Sequence, residues 1–263
     1  MSSKPIYETQ VEQLPVSVYA TNAAMGAAAA HAAAEALVRA VNEKGVANII
    51  LAAANSQLTF LAALRQDQRV PWDKVNAFHM DEYIGIDAVH PASFPLFLRR
   101  NLMDHVRVKT FYPLSGQARQ FEMMMGEYAR LLREYPADVC ALGYGENGHL
   151  AFNDPPFADF GDPLWVKVVR LAEMSRRQQV GEGHFRTLND VPTHAVTLTI
   201  PALLAAKQVL AIVPETRKAN AVKRALTGPI DEECPGSILR RVPHAHLFLD
   251  RDSAGTTFPL GGD

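Results

Sequence analysis

Three polar side chains suited to proton transfer lie in or just after one glycine-rich turn. The turn is Gly143-Tyr-Gly-Glu-Asn-Gly148, and the three residues are Asn147, His149 and Asp154. An imidazole with an amide and a carboxylate close by can have its tautomer fixed by a hydrogen bond, so that it acts as an acid or a base near neutral pH. The segment therefore predicts catalytic roles for His149 and its two polar neighbours.

A second set of candidate groups is the pair of adjacent carboxylates Asp81 and Glu82. They follow the apolar run Val75–His79, which predicts a strand. Consecutive strand residues point to opposite faces, so only one of the two carboxylates is expected in a site at the end of this strand. The periodicity alone leaves open which one it is.

The glycine turn also matches the dinucleotide fingerprint, but its context argues against that function. A dinucleotide fold carries this pattern in its first βαβ unit, whereas here it lies past mid-chain and runs into Pro155-Pro156. The two cysteines, Cys140 and Cys234, lack metal-ligand spacing. We therefore expect neither a cofactor nor a metal.

The elements that must position these residues alternate between short apolar runs and longer helical patterns. This alternation predicts βα units around a mostly parallel sheet, in one α/β domain spanning residues 1–263. Asn22 is predicted to cap a helix that continues to about Asn42, and the proline-rich stretch Asp154–Leu164 is predicted to be a loop. The predicted strands are Val16–Ala20, Ala47–Ala53, Val75–His79, Ala137–Leu142, Lys167–Leu171, His194–Thr199, Gln208–Val213 and His246–Leu249.

The amino-acid composition limits the classes of protein to which this chain can belong. Of the 263 residues, 48% are hydrophobic, which is enough to form a full hydrophobic core. The charges of the 26 basic and 28 acidic residues nearly cancel. We therefore expect no nucleic acid partner and no anionic membrane surface. The polar amino terminus, the absence of a long apolar run and the two cysteines suggest a cytoplasmic protein.

Three ordered motifs together resemble the glucosamine-6-phosphate deaminase family, within the superfamily that it shares with 6-phosphogluconolactonase. They are Met80-Asp-Glu-Tyr83, His90-Pro-Ala-Ser93 and Leu142-Gly-Tyr-Gly-Glu-Asn-Gly-His-Leu-Ala-Phe-Asn-Asp-Pro155. The resemblance implies a doubly wound α/β sheet with helices on both faces. It also implies a reaction that converts an amino sugar phosphate into a ketose phosphate and ammonia.

The resemblance assigns roles to the candidate catalytic residues. Asp81, rather than Glu82, is implied to move a proton from C2 to C1 of the sugar, and His149 to assist opening of the pyranose ring. Asn147 stands where the family often has aspartate, and Asp154 where it usually has glutamate. Because the Asp154 side chain is one methylene shorter, either its loop lies closer to the imidazole or a water bridges the two.

The phosphate-binding residues depart furthest from the family pattern. The family's Thr-Gly-Gly-Thr-Pro-like loop corresponds here to Ala53-Ala-Asn-Ser-Gln57, so Asn55, Ser56 and Gln57 are the expected contacts, together with Gly148. Lys218 matches the family's phosphate lysine. The family's arginine downstream of the active-site lid has no counterpart, because Gly181 falls at its position. Arg176 and Arg177 are nearby candidates to replace it.

Three functions fit these residues. The favoured one is an isomerising deaminase acting on glucosamine 6-phosphate or a close relative, with residues 154–190 forming a lid over the site. A lactone hydrolase like 6-phosphogluconolactonase shares the glycine-histidine turn, and a non-catalytic sugar-phosphate sensor shares the fold. The expected partner is a small sugar phosphate, and a homo-oligomer remains open.

Overall fold

Eleven strands form the framework of the computed structural model, which describes residues 4–260. Residues 1–3 and 261–263 lie outside the described range. These residues include the start of the polar amino terminus and the two ends of the domain predicted over residues 1–263. The strands are β1 Tyr7–Val11, β2 Leu14–Tyr19, β3 Ala47–Leu51, β4 Val75–His79, β5 Asp81–Tyr83, β6 Thr110–Tyr112, β7 Val139–Leu142, β8 Val166–Arg170, β9 His194–Leu198, β10 Gln208–Val213 and β11 Ala245–Asp250.

Eight of these strands form the central sheet, in the order β1-β2-β11-β10-β7-β3-β4-β6. Every neighbouring pair is parallel except β1 with β2, which join as an antiparallel edge. A small antiparallel sheet of order β5-β9-β8 lies beyond the end of β4. The carboxyl ends of β10, β7, β3 and β4 thus lie side by side, where open α/β sheets bind their ligands.

Helices cover both faces of the central sheet. Alternate residues of β3 show this, since Ile49 and Leu51 pack in the core under the first two helices and Ile50 packs in the core on the opposite face. The observed fold is therefore the predicted α/β class. The helices are α1 Asn22–Lys44, α2 Leu58–Leu64, α3 Phe94–Leu98, α4 Phe121–Glu134, α5 Glu173–Gly181, α6 Ile200–Leu204, α7 Ala219–Thr227 and α8 Arg251–Ala254.

All eight predicted strands coincide with observed strands to within a few residues, and β1, β5 and β6 were not predicted. The prediction for the start of α1 was wrong by one residue. Thr21 caps the helix instead of Asn22, because Thr21 has an extended backbone and its hydroxyl accepts a hydrogen bond from the amide of Ala24 at 3.1 Å.

Residues 154–190 contain the predicted irregular stretch followed by regular structure. The chain has no helix or strand from 154 to 165, and then forms β8 and α5. Movement of this segment as a lid stays a prediction. Within residues 4–260, none of the helices has the length and apolar character needed to cross a membrane.

Candidate active site

A cleft opens at the carboxyl ends of the four adjacent parallel strands. Loops after β3 and β7 form its floor, β5 forms one wall, and the turn after β10 contributes Lys218. The opposite wall comes from α5 and the residue after it. The lining residues are Ala52, Ala53, Ala54, Ser56, Gln57, Met80, Asp81, Phe94, Gly143, Tyr144, Gly145, His149, Ala151, Phe152, Gln178, Gln179, Glu182 and Lys218.

Asp81 and Glu82 point in different directions, as the strand pleat requires. Asp81 lines the cleft, and its carboxylate accepts no hydrogen bond from the part of the chain that the structure describes. Burial, together with the charge of Glu82, raises the pKa of Asp81 well above its ordinary value. Asp81 is therefore a buried carboxyl group that remains available to a ligand.

Glu82 is engaged with protein groups on the other side of β5. Its carboxylate accepts hydrogen bonds from the Ser93 hydroxyl at 2.8 Å and from the amides of Tyr83 at 2.9 Å and Phe94 at 3.2 Å. Burial nevertheless raises the pKa of Glu82 to about 7. Glu82 is thus a structural anchor for the loop that leads into α3, and Ser93 lies in the His90–Ser93 motif.

The buried carboxyl group of Glu82 gives a prediction for Glu82→Gln. The pKa of Glu82 is near 4.5 in the unfolded chain and about 7 in the folded one, so its favourable contribution is complete below pH 4.5 and disappears as pH rises through 7. Between pH 4 and 8 the free energy of unfolding of the wild type should therefore fall relative to Glu82→Gln by about 3 kcal/mol. Urea denaturation at several pH values measures this difference, and a difference that is flat with pH would contradict the prediction.

His149 lies at the centre of a cluster of hydrogen bonds. Its Nδ1 is 2.8 Å from Oδ1 of Asn147 and 2.9 Å from Oδ1 of Asp154, and its backbone amide donates to Asn147 Oδ1 at 3.0 Å. The Asn147 amide in turn donates to Asp154 at 2.8 Å. Because two acceptor oxygens face Nδ1, a neutral imidazole carries its proton on Nδ1. Nε2 is then the nitrogen that can exchange protons with a ligand.

Asp154 reaches the imidazole directly in spite of its short side chain. Burial opposes its ionisation, but the charge of His149 and hydrogen bonds from His149, Ser175 and Asn147 lower the pKa of Asp154 to about 2. The carboxylate therefore stays ionised at neutral pH. Of the two arrangements expected from the sequence, the closer approach of the loop is the one observed.

Ser175 completes the cluster and was missed in the sequence. Its hydroxyl donates to Oδ1 of Asp154 at 2.6 Å and lies 3.2 Å from Nδ1 of His149, although it comes from α5, more than twenty residues downstream. A serine in a helical stretch has no signal that distinguishes it from a surface residue. Ser175 thus ties the 154–190 segment to the histidine.

We expect Ser175→Ala to lower the free energy of unfolding by about 1.5–3 kcal/mol, the usual contribution of a hydrogen bond to a charged group. The loss should be near the upper end, because Oδ2 of Asp154 is already buried without a partner among the described residues. Chemical denaturation measures the change, and Ser175→Thr, which keeps the hydroxyl, is the control. Equal stability of Ser175→Ala and the wild type would show that the contact is not formed in solution.

The residues expected to bind phosphate divide into two groups. Ser56, Gln57 and Lys218 line the cleft, whereas Asn55 and Gly148 do not. Gly148 has a φ of +89°, and a Cβ there would lie 2.6 Å from the sulfur of Cys234, so this glycine serves the turn. The Gln57 amide donates to the carbonyl oxygen of Ile212 at 3.2 Å, which fixes this loop to β10.

Lys218 is the one cationic side chain of the described residues that lines the cleft. The residue is only 2% exposed, and its ammonium group makes no hydrogen bond or ion pair within residues 4–260. Burial lowers the pKa of Lys218, and the charge of Glu182 opposes that shift. A buried cation in such surroundings favours an anionic ligand.

The two arginines considered as replacements lie elsewhere. Arg176 donates to the backbone carbonyls of Leu188 and Val191, and Arg177 pairs with Glu173 on the surface of α5. Three other residues of this segment line the cleft and were not singled out in the sequence. They are Gln178, Gln179 and Glu182.

Comparison with known proteins identifies the family of the chain. The family model described as glucosamine-6-phosphate isomerases/6-phosphogluconolactonase matches residues 20–247. The chain is 33% identical over 215 residues to a glucosamine-6-phosphate deaminase of Bacillus cytotoxicus, a match that covers 81% of this chain and 79% of the relative. A glucosamine-6-phosphate deaminase of Bacillus cereus is 34% identical over 203 residues, 77% of this chain and 75% of the relative.

Solved structures show the same fold. A monomeric glucosamine-6-phosphate deaminase superposes with a TM-score of 0.82 at 26% identity, over 91% of this chain and 98% of its own. A 6-phosphogluconolactonase of Trypanosoma brucei superposes with a TM-score of 0.72 at 18% identity, over 94% and 98% of the two chains. The cleft at the strand ends, the motifs that form it and the match over most of the chain lead to one conclusion: the protein belongs to the glucosamine-6-phosphate isomerase/6-phosphogluconolactonase family.

Proposed function

We propose that the protein is an aldose–ketose isomerising deaminase that converts glucosamine 6-phosphate, or a close amino sugar phosphate, into the ketose phosphate and ammonia. The observation that carries this proposal is that Asp81 and His149 line the same cleft from different elements. One group can therefore act at the carbon skeleton while the other acts at the ring oxygens.

The proposed reaction begins with opening of the ring. His149 transfers a proton through Nε2 to O5 as O1 loses one, with Nδ1 held by Asn147 and Asp154. The C1 aldehyde then makes the C2 hydrogen acidic. Asp81 removes that hydrogen as a proton while the substrate's C2 ammonium group gives a proton to O1, and the product is an enol-amine. Asp81 returns the proton to C1, and water attacks the resulting C2 iminium carbon to release ammonia and leave the ketone.

The raised pKa of Asp81 supports this assignment. A carboxylate destabilised by burial and by the charge of Glu82 is a stronger base than an exposed one, and its free oxygens are not held by other donors. Lys218 and Ser56 are the groups that we assign to the phosphate, because both line the cleft and Lys218 lacks a partner among the described residues.

The small volume of the cleft supports the proposal that the 154–190 segment moves. The cavity is only about 70 Å³, well below the ~300–1,000 Å³ of typical ligand sites. Gln178, Gln179 and Glu182, all from the 154–190 segment, are among the residues that line it. We therefore propose that this segment moves outward when a hexose phosphate enters, as a lid.

The test is incubation of the purified protein with glucosamine 6-phosphate and measurement of both ammonia and fructose 6-phosphate. We expect the two products in equal amounts. A parallel assay with 6-phosphogluconolactone separates the related hydrolase activity of the family. Lactone hydrolysis without ammonia release, or phosphate-ester binding without turnover of any hexosamine 6-phosphate, would contradict the proposal.

A further inference from the structure

A buried carboxylate lies at the Lys218 end of the cleft. Glu182, the residue that follows α5, has a side chain only 4% exposed and lines the cleft together with Lys218. Its carboxylate accepts a hydrogen bond from the Gln178 amide at 2.7 Å, pairs with Arg217 at 3.0 Å and lies 3.4 Å from His184. Glu182 is therefore held in place by several neighbours.

Three carboxylates lie around Arg217, the residue next to Lys218. Arg217 pairs with Glu215 at 2.6 Å and Glu182 at 3.0 Å, and its guanidinium is 3.8 Å from Glu146. Burial disfavours the ionised form of Glu182, but the hydrogen bond with His184 and the charge of Arg217 lower the pKa of Glu182 to about 2. The carboxylates of Glu146, Glu182 and Glu215 thus all lie near Arg217, the residue that precedes Lys218.

A phosphate dianion that approaches Lys218 meets the negative charge of Glu182 in surroundings of low dielectric constant. Interactions between charges are several times stronger there than in water, so the repulsion opposes the attraction of Lys218. Either Glu182 moves away or the dianion binds weakly. A less negatively charged substituent at the same end of a sugar meets a smaller penalty.

We propose that Glu182 is a specificity-determining residue. Its carboxylate pairs with Arg217, lines the cleft together with Lys218 and lowers the affinity of the cleft for a phosphate dianion. The inference rests on the proposed function in one respect, namely that the sugar phosphate places its phosphate beside Lys218. It adds that the site discriminates less between phosphorylated and unphosphorylated amino sugars than a site without this carboxylate does.

Binding of inorganic phosphate to the substrate-free protein tests the inference without any turnover. Isothermal titration calorimetry at constant ionic strength compares the wild type with Glu182→Gln, which keeps the acceptor oxygen for Gln178 and Arg217 but loses the charge. We expect the Kd for phosphate, and likewise for sulfate, to fall at least 10-fold. In Glu182→Gln/Lys218→Gln this gain should disappear.

Glu173→Gln is the matched control, because this glutamate lies on the same helix and pairs with an arginine but is 64% exposed. Its Kd for phosphate should equal that of the wild type, and thermal denaturation verifies that each variant is folded. An unchanged or increased Kd in folded Glu182→Gln would overturn the inference, whatever the enzyme turns over.

The kinetic measurement is the ratio of kcat/KM for glucosamine 6-phosphate to kcat/KM for glucosamine. We expect this ratio to rise at least 10-fold in Glu182→Gln, and an unchanged ratio would overturn the assignment of Glu182 to specificity. If neither sugar is turned over by any variant, the proposed function fails, while the phosphate titrations still decide the role of Glu182.

Discussion

Replacement of Asp81 by asparagine is expected to lower kcat for glucosamine 6-phosphate by roughly 10²- to 10⁴-fold, the range that a general acid–base group contributes. Asparagine has nearly the same shape but cannot take up the C2 proton. The carboxylate of Asp81 accepts no hydrogen bond from residues 4–260, so the substitution breaks no contact of the folded protein. The effect should therefore appear in kcat, with little change in substrate affinity.

Two further measurements connect this loss to proton transfer. The wild type should lose kcat/KM on the acid side as Asp81 becomes protonated, at a higher pH than for an exposed aspartate, because burial and the charge of Glu82 raise its pKa. The residual activity of Asp81→Asn should not show this decrease of kcat/KM at low pH. Asp87→Asn, an exposed aspartate in the loop that follows β5, is the matched control and should behave as the wild type does.

A kcat for Asp81→Asn within about 10-fold of the wild-type value would contradict the role of Asp81 as the proton shuttle, since acid–base groups contribute more than that. Retained deamination together with lost binding would instead make Asp81 a substrate-positioning residue. Exchange of the C2 hydrogen with solvent deuterium, followed by NMR, distinguishes the two cases because it reports on the proton transfer alone.

The inner strands of the central sheet could be predicted from the sequence because their side chains are buried on both faces. Nearly continuous apolar runs, such as those in Ala47–Leu51 and Gln208–Val213, are typical of parallel strands with helices on both sides. The short strand β5 was not predicted, because three residues starting with two carboxylates give no apolar pattern. Its pairing with β9 is a long-range contact that local sequence does not encode.

The candidate site was only partly predictable for a similar reason. His149 and Asp154 belong to one continuous turn, so their proximity follows from their separation along the chain. Ser175 and Glu182 reach the cleft through the packing of α5 against that turn, which no residue pattern within α5 indicates. The choice of Asp81 over Glu82 likewise depends on Ser93, which holds Glu82 away from the cleft.

The second large effect is expected for Gly145→Ala, because this glycine lies against the face of the His149 ring. A Cβ at position 145 would be 2.0 Å from Cε1 and 2.2 Å from Nδ1 of the imidazole, closer than atoms approach one another without bonding. The backbone there cannot retreat easily, since the Gly145 amide donates to the His149 carbonyl oxygen at 2.9 Å. The ring must therefore leave its place between Asn147 and Asp154.

We expect Gly145→Ala to lower kcat by about 10²-fold, the loss that a displacement of about 1 Å causes in a catalytic group. The matched control is Gly126→Ala, because a Cβ at that helix position meets no atom within 4 Å. It should keep full activity and gain about 0.5–1 kcal/mol of stability from the higher helix propensity of alanine.

A double variant can test whether displacement of the imidazole causes the loss of kcat in Gly145→Ala. If the imidazole is displaced, Gly145→Ala should add little to the defect of His149→Gln, because both substitutions remove the same group from the same position. Independent, multiplicative losses in the double variant would mean that Gly145 acts on the floor of the cleft. Activity of Gly145→Ala within about 3-fold of the wild-type value would show that proton transfer tolerates a shifted ring, and the assignment of His149 to ring opening would then fail.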